Sequence, residues 1–112
     1  MHLKNFSLFK NPEQGYVFSP AYDLVASALV VEGDDEELAL TLNGKKKKLK
    51  LSDFQNAMSS SGLNTKVIEN IFKRFQRVLP EWHDFINISF LPENLKENYH
   101  AVLDNRFRQI NL

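Results

Sequence analysis

The sequence contains no cysteine. That excludes disulfides, thiolate nucleophiles and cysteine-based zinc sites. It has no excess of either charge: 14 Lys and Arg balance 14 Asp and Glu. A whole-surface electrostatic footprint for nucleic acid is therefore absent. The three histidines, His2, His83 and His100, stand far apart and show no metal-ligand spacing. Long apolar runs are also missing. The most apolar stretch, Leu24 to Val31 with Ser27 inside it, falls far short of the roughly 20 residues that a membrane-spanning helix needs. The start, Met-His-Leu-Lys-Asn, is polar and unlike a signal peptide. These absences predict a cytoplasmic protein with no membrane contact and no direct nucleic-acid contact.

What remains is an ordinary globular composition, 43% hydrophobic and 25% charged, over 112 residues. That length suits one domain, 1–112, with a single core. Phenylalanine is over-used, with nine copies, so aromatic packing should dominate the core. There is no internal repeat and no low-complexity linker. The organisation changes near Ser52, which predicts an α+β fold: short hairpins over 1–51, then a mainly helical bundle over 52–112.

Phe6 to Phe9, the turn cluster Asn11-Pro-Glu-Gln-Gly15 and Tyr16 to Phe18 together predict a β-hairpin. Ser19-Pro20 breaks its second strand. Gly33 to Glu37 reads as an acidic loop. A second hairpin is predicted around Asn43-Gly44, a pair suited to a type I′ turn. Leu38, Leu40 and Leu42 would alternate onto one face before it, and Leu49 and Leu51 after it. The lysines from Lys45 to Lys48 follow that turn and read better as a solvated hairpin tip than as a nucleic-acid patch.

Ser52-Asp53-Phe54-Gln55 predicts a capping box opening a short helix that packs Phe54, Ala57 and Met58 and ends at Gly62. Asn64 or Thr65 should cap a longer helix with Val67, Ile68, Ile71, Phe72, Phe75, Val78 and Leu79 on one face. Pro80 should stop it and begin another, with Trp82, Phe85 and Ile88 inward. Pro92 should start the last helix, striped by Leu95, Tyr99, Val102, Leu103, Phe107 and Ile110. That makes about four helices, with His83 and His100 as surface or half-buried packing residues.

The odd feature is the crowding of His2, Lys4, Asn5 and Ser7 before the first strand, with Asp23 just after the hairpin. In protein kinases a catalytic loop supplies an Asp base and, five residues on, an Asn for magnesium. A short hairpin then leads to a second metal-binding Asp. Oxygen ligands suit Mg²⁺, which takes few protein ligands beside phosphate and water.

Met1-His-Leu-Lys-Asn-Phe-Ser7, Phe18-Ser-Pro-Ala-Tyr-Asp23-Leu24 and Leu38-Ala-Leu-Thr-Leu-Asn-Gly44-Lys45 resemble the C-terminal lobe of the HipA-like serine/threonine kinases. Their catalytic-loop pattern, Asp-x-His-x-Lys-Asn-x-Ser, is matched by His2, Lys4, Asn5 and Ser7. Its Asp would lie one position before Met1. Tyr22-Asp23 matches the pair that stands where other kinases have Asp-Phe-Gly. The resemblance is dense over roughly the first half of the chain.

The resemblance implies that Asn5 and Asp23 hold magnesium and the bound ATP. Lys4 would lie near the transferred phosphate or near the catalytic-loop Asp, and His2 would brace the loop. It also implies ATP-dependent phosphoryl transfer to a protein, as in the toxin of a toxin–antitoxin pair. Partners would be an antitoxin-like DNA-binding protein or the nucleotide lobe, with self-association through an exposed apolar surface. Without the loop Asp and that lobe the chain should be inactive alone and hold neither Mg²⁺ nor ATP tightly. The alternative reading is a non-catalytic helical module that binds an antitoxin-like or other protein partner.

Overall fold

Asn11 decides the first turn. Its side-chain Oδ1 accepts hydrogen bonds from the backbone N–H groups of Glu13 (2.8 Å) and Gln14 (3.0 Å). Gly15 then takes a left-handed φ of 76° that a side chain would resist. In the computed structural model, which describes residues 3–31, 33 and 37–112, this turn joins β1 (Leu8–Asn11) to β2 (Gly15–Phe18). The antiparallel register runs from Leu8 opposite Phe18 to Asn11 opposite Gly15. The first hairpin forms as predicted, though its first strand starts at Leu8 and runs to Asn11 instead of spanning Phe6 to Phe9, and the α+β class holds.

The Asn43-Gly44 turn forms with both residues left-handed, at φ 50° and 74°. Leu42 and Lys45 exchange two backbone hydrogen bonds across it, at 2.8 and 2.9 Å. The predicted strands on either side do not form, beyond this one bridge. Lys48 is itself left-handed, at φ 53°, which breaks the extended backbone a ladder needs. The Lys48 and Leu49 N–H groups go to the Glu37 carboxylate, at 2.8 and 3.1 Å. Leu40 is exposed instead of sharing a buried face with Leu38 and Leu42, while Leu49 is buried. Space does not constrain Gly44, since a Cβ there would touch nothing. Gly44→Val is therefore expected to cost about 1–3 kcal/mol through its positive φ alone. An unchanged thermal midpoint would contradict this turn.

Helix α1 spans Leu51–Ser60. Its cap lies two residues earlier than predicted: Lys50 is the N-cap, and Asp53 Oδ2 accepts the Lys50 N–H at 3.0 Å. Gly62 ends it as predicted, at φ 87°, with Leu63 N–H donating to Met58 O and Gly62 N–H to Ser59 O. Asn64 caps α2, its Oδ1 accepting the Val67 N–H at 2.9 Å.

Helix α2 runs unbroken over Thr65–Asn87 with Pro80 inside it, so the expected stop does not occur. Proline removes one backbone hydrogen bond and costs about 3 kcal/mol in a helix interior. The apolar stripe explains why the helix continues. Ile68, Phe72, Phe75, Leu79, Trp82 and Ile86 recur at alternating steps of four and three, in phase across Pro80. Pro80 sits on the exposed side. Burying one large apolar side chain contributes about 1.5–3 kcal/mol, so the residues beyond Pro80 offset its cost. The same phase corrects the inward set. Ile86 is buried, whereas Phe85 and Ile88 are 72% and 77% exposed. Three α-helices, not four, therefore follow the hairpin among the described residues.

Helix α3 spans Glu93–Gln109 after Pro92, and Phe107 of its predicted stripe is buried. Asn111, left-handed at φ 55°, closes its end while Leu112 N–H donates to Phe107 O. The core is Leu49, Ile68, Phe72, Ile86 and Phe107. Trp82 bridges α2 and α3, meeting Phe75 and Phe107 edge-on at centroid distances of 5.8 and 6.0 Å. No helix among the described residues is long and apolar enough to cross a membrane.

Candidate functional site

The first hairpin extends one step beyond its strands. Ser19 N–H donates to Ser7 O at 2.8 Å, and the Ser7 and Ser19 hydroxyls are bonded at 3.0 Å. Two segments leave this base side by side: a 3-10 turn, Leu3–Asn5, and the stretch from Pro20 to Asp23. Cross-links between them come from both sides. The Tyr22 hydroxyl donates to Lys4 O at 3.0 Å, and Asn5 Nδ2 donates to Asp23 O at 3.4 Å. The hairpin thus brings Asn5 and Asp23, 18 residues apart in the chain, to one place.

Asn5 is half-buried, and Lys4 and Asp23 are exposed. Asp23 holds a left-handed φ of 53°, a conformation that costs a residue with a side chain about 1–2 kcal/mol. Aspartate tolerates it better than most, and strain of this kind collects where a side chain must be aimed. A cleft beside the pair is lined by Asn5, Phe6, Phe18, Ser19, Pro20 and Ala21; Asp23 stands outside that lining. Because Asn5 Nδ2 is turned to the Asp23 carbonyl, Oδ1 is the Asn5 atom left to meet a cation. Among the described residues no group of three or more His, Asp or Glu could hold a metal. Asn5 and Asp23 offer two hard oxygens, which fits Mg²⁺ completed by phosphate and water, not an all-protein cage. His2 lies outside the described residues, as do Asp34, Asp35 and Glu36 of the acidic loop.

Apolar side chains surround this end without being covered. Phe6, Phe9 and Phe18 are 52%, 47% and 72% exposed, and Leu24 and Val25 are exposed as well.

Two polar centres escaped the sequence reading. Asp53, buried at 2% exposure, accepts from Asn43 Nδ2 at 2.8 Å and from Lys45 Nζ at 2.9 Å. The Asn43 amide, then Lys45 and the Lys50 N–H, hold its carboxyl well below the usual carboxylate range. Lys45 is thus an anchor for the turn, not merely part of a solvated tip. Glu37 is the second centre. Besides capping Lys48 and Leu49, it accepts from Gln109 Nε2 at 2.9 Å and pairs with Arg106 at 3.2 Å. Burial alone would raise its carboxyl, but these hydrogen bonds and the Arg106 charge outweigh that and lower it. A carboxylate at the third position of a helix was a readable signal for Asp53; for Glu37, 72 residues from Gln109, none existed.

The family model of the HipA-like C-terminal domain matches residues 1–82. The match takes in the hairpin, the Asn43-Gly44 turn, α1 and most of α2; α3 lies beyond it. No curated protein matches the chain.

Proposed function

Because the chain belongs to the HipA-like C-terminal domain family, we propose that its first hairpin carries the metal-and-phosphate side of a HipA-type serine/threonine kinase. Supporting this reading is the placement of Asn5 against Asp23 at the base of the hairpin, 3.4 Å from Asn5 Nδ2 to Asp23 O. In the proposed site Asn5 Oδ1 and the Asp23 carboxylate are the protein's ligands to Mg²⁺. When bound, the ion supplies neutralisation of charge on the ATP phosphates. Tyr22 holds the loop by its hydroxyl on Lys4 O, which leaves the exposed Lys4 ammonium to reach the transferred phosphate. The reaction is phosphoryl transfer from ATP to a protein hydroxyl, in a cytoplasmic toxin restrained by an antitoxin-like DNA-binding partner.

Within these 112 residues the reading assigns no base and no nucleotide-facing lysine. The chain on its own is therefore expected to incorporate no phosphate, because transfer requires the phosphates held from both sides and the hydroxyl oriented. Metal binding is expected to be weak but local. Manganese titrated into the labelled chain should broaden the resonances of Asn5 and Asp23 first, and Mg²⁺ should reverse the effect. Asp23→Asn should abolish the broadening at both residues while changing stability by no more than about 1 kcal/mol. Broadening centred elsewhere, or unaltered by Asp23→Asn, would count against the magnesium assignment.

A second reading, a non-catalytic module binding an antitoxin-like or other protein, is favoured by the apolar surface. Besides the hairpin aromatics, Phe85, Ile88 and Phe90 are largely exposed where α2 passes to α3. Retained partner binding by Asp23→Asn would support it independently of the metal.

A further inference from the structure

We propose that His83 and His100 form a proton-operated clasp between α2 and α3, closed while the pair carries at most one extra proton and opened by a second. The rings lie nearly parallel, with planes inclined by 18° and centroids 4.8 Å apart. Their Nδ1 atoms face each other at 2.6 Å. His83 Nε2 meets Asp104 Oδ1 at 3.0 Å, and His100 Nε2 meets Asn87 Oδ1 at 2.9 Å. Two helix α2 residues, His83 and Asn87, are thus interlocked with two α3 residues, His100 and Asp104.

The proton inventory follows from these partners. A carboxylate only accepts, so His83 Nε2 carries a hydrogen. One and only one of the two Nδ1 atoms carries a hydrogen, since a hydrogen bond needs one donor and one acceptor. With the Asn87 oxygen toward His100, Nε2 of His100 is also protonated, and the pair holds three protons on four nitrogens, a single positive charge facing Asp104. Turning the Asn87 amide over lets it donate to an unprotonated Nε2, and the pair closes equally well when neutral. The doubly charged pair has no closed form. Both Nδ1 atoms would then be donors, set against each other between two like charges. A metal ion does not fit in the proton's place, because two nitrogen ligands of one tetrahedral zinc stand about 3.3 Å apart.

The surrounding charges do not change this logic. Asp104 is the carboxylate in contact with the pair; Asp84 and Glu97, exposed on the same helices, add negative charge nearby, and Lys96 is paired with Glu93 at 2.9 Å. The 3-10 turn Ser27–Leu29, which packs on α3, has no ionisable side chain. Helix α1, which packs on α2, has only Asp53, already held by Asn43 and Lys45. Histidine is the residue type that changes charge between about pH 5 and 8. A second proton on the pair sets two Nδ1 donors against each other at the α2–α3 contact, so stability should fall as pH falls through that range.

The test is thermal unfolding of the full chain at pH 7.5 and 5.5, for the unaltered protein, His83→Gln and His100→Gln. The unaltered protein should lose about 5–10 °C between the two values. Both variants should be nearly flat, with His2, present in all three, as the common background. Imidazole nitrogen NMR on the unaltered protein provides the second measurement, should a variant fail to fold. His83 and His100 should titrate together, with coupling between their Nδ1 atoms that vanishes at low pH. A flat profile for the unaltered protein, an equal slope in the variants, or two histidines titrating independently would overturn the clasp.

Discussion

Phe107→Ala is expected to lower stability by about 3–5 kcal/mol, the usual cost of emptying an aromatic core position. Small domains hold only about 5–15 kcal/mol in total, so much of the folded population is at stake. Among the described residues Phe107 is one of five buried apolar side chains, and it packs edge-on against Trp82, the pivot between α2 and α3. Removing it leaves a cavity at that contact, and it withdraws the stripe of α3 from Trp82. Trp82 is the only tryptophan of the chain, so its fluorescence reports the event directly. Urea unfolding should show a lower midpoint with an unchanged slope. A midpoint equal to that of the unaltered protein would mean that α3 does not close the core. The hairpin packs β1 on β2, so the Asn5–Asp23 juxtaposition should survive as long as the domain stays folded.

How much of this was readable differs from element to element, and the differences have physical causes. The Asn11 to Gly15 turn, the Asn43-Gly44 turn, the Gly62 stop and the Asn64 cap were all legible. Each depends on a residue whose own backbone or side chain does the work within a few positions. Pro80 misled because its local cost is real but smaller than the gain from a stripe that stays in phase on both sides of it. A reading that carried the four-three spacing through Pro80 would have found Ile86 inward and Phe85 outward. The second hairpin misled for the opposite reason. Its turn is local, but its strands are replaced by Glu37, whose carboxylate takes the N–H groups of Lys48 and Leu49. At the candidate site, the resemblance to the kinase loop pointed to Asn5 and Asp23, and the hairpin brings the two residues together. The histidine pair was invisible, since His83 and His100 meet only through the packing of α2 on α3.

Glu37→Ala is expected to cost about 2–3 kcal/mol, a large loss for one polar side chain. The reason lies in what the carboxylate holds. It joins the 37–49 segment to itself through the Lys48 and Leu49 N–H groups, and it joins that segment to α3 through Gln109 and Arg106. Gln109 Nε2 also donates to Leu49 O at 2.7 Å, so its loss of Glu37 loosens the backbone around the most buried apolar residue, Leu49. Alanine leaves the Leu49 N–H without its acceptor in a place that water reaches poorly. Glu37→Gln should fall between, because a glutamine keeps one acceptor but turns an N–H₂ group toward donors. The same centre sets the acid limit of the fold. Glu37 is lowered from its ordinary value of 4.5 and Asp53 from 3.8. A carboxyl lowered in the native state is protonated more readily when unfolded, so it stabilises the fold fully above the ordinary value. That contribution is lost as pH falls below it toward the native value. Stability of the unaltered protein should therefore decline below about pH 4.5, separately from any change in the histidine range. In Glu37→Ala the decline should start lower and be shallower, leaving the part that Asp53 carries. Unfolding free energies measured by urea between pH 7 and 3 would decide this; parallel curves for the two proteins would show that Glu37 does not link the turn segment to α3.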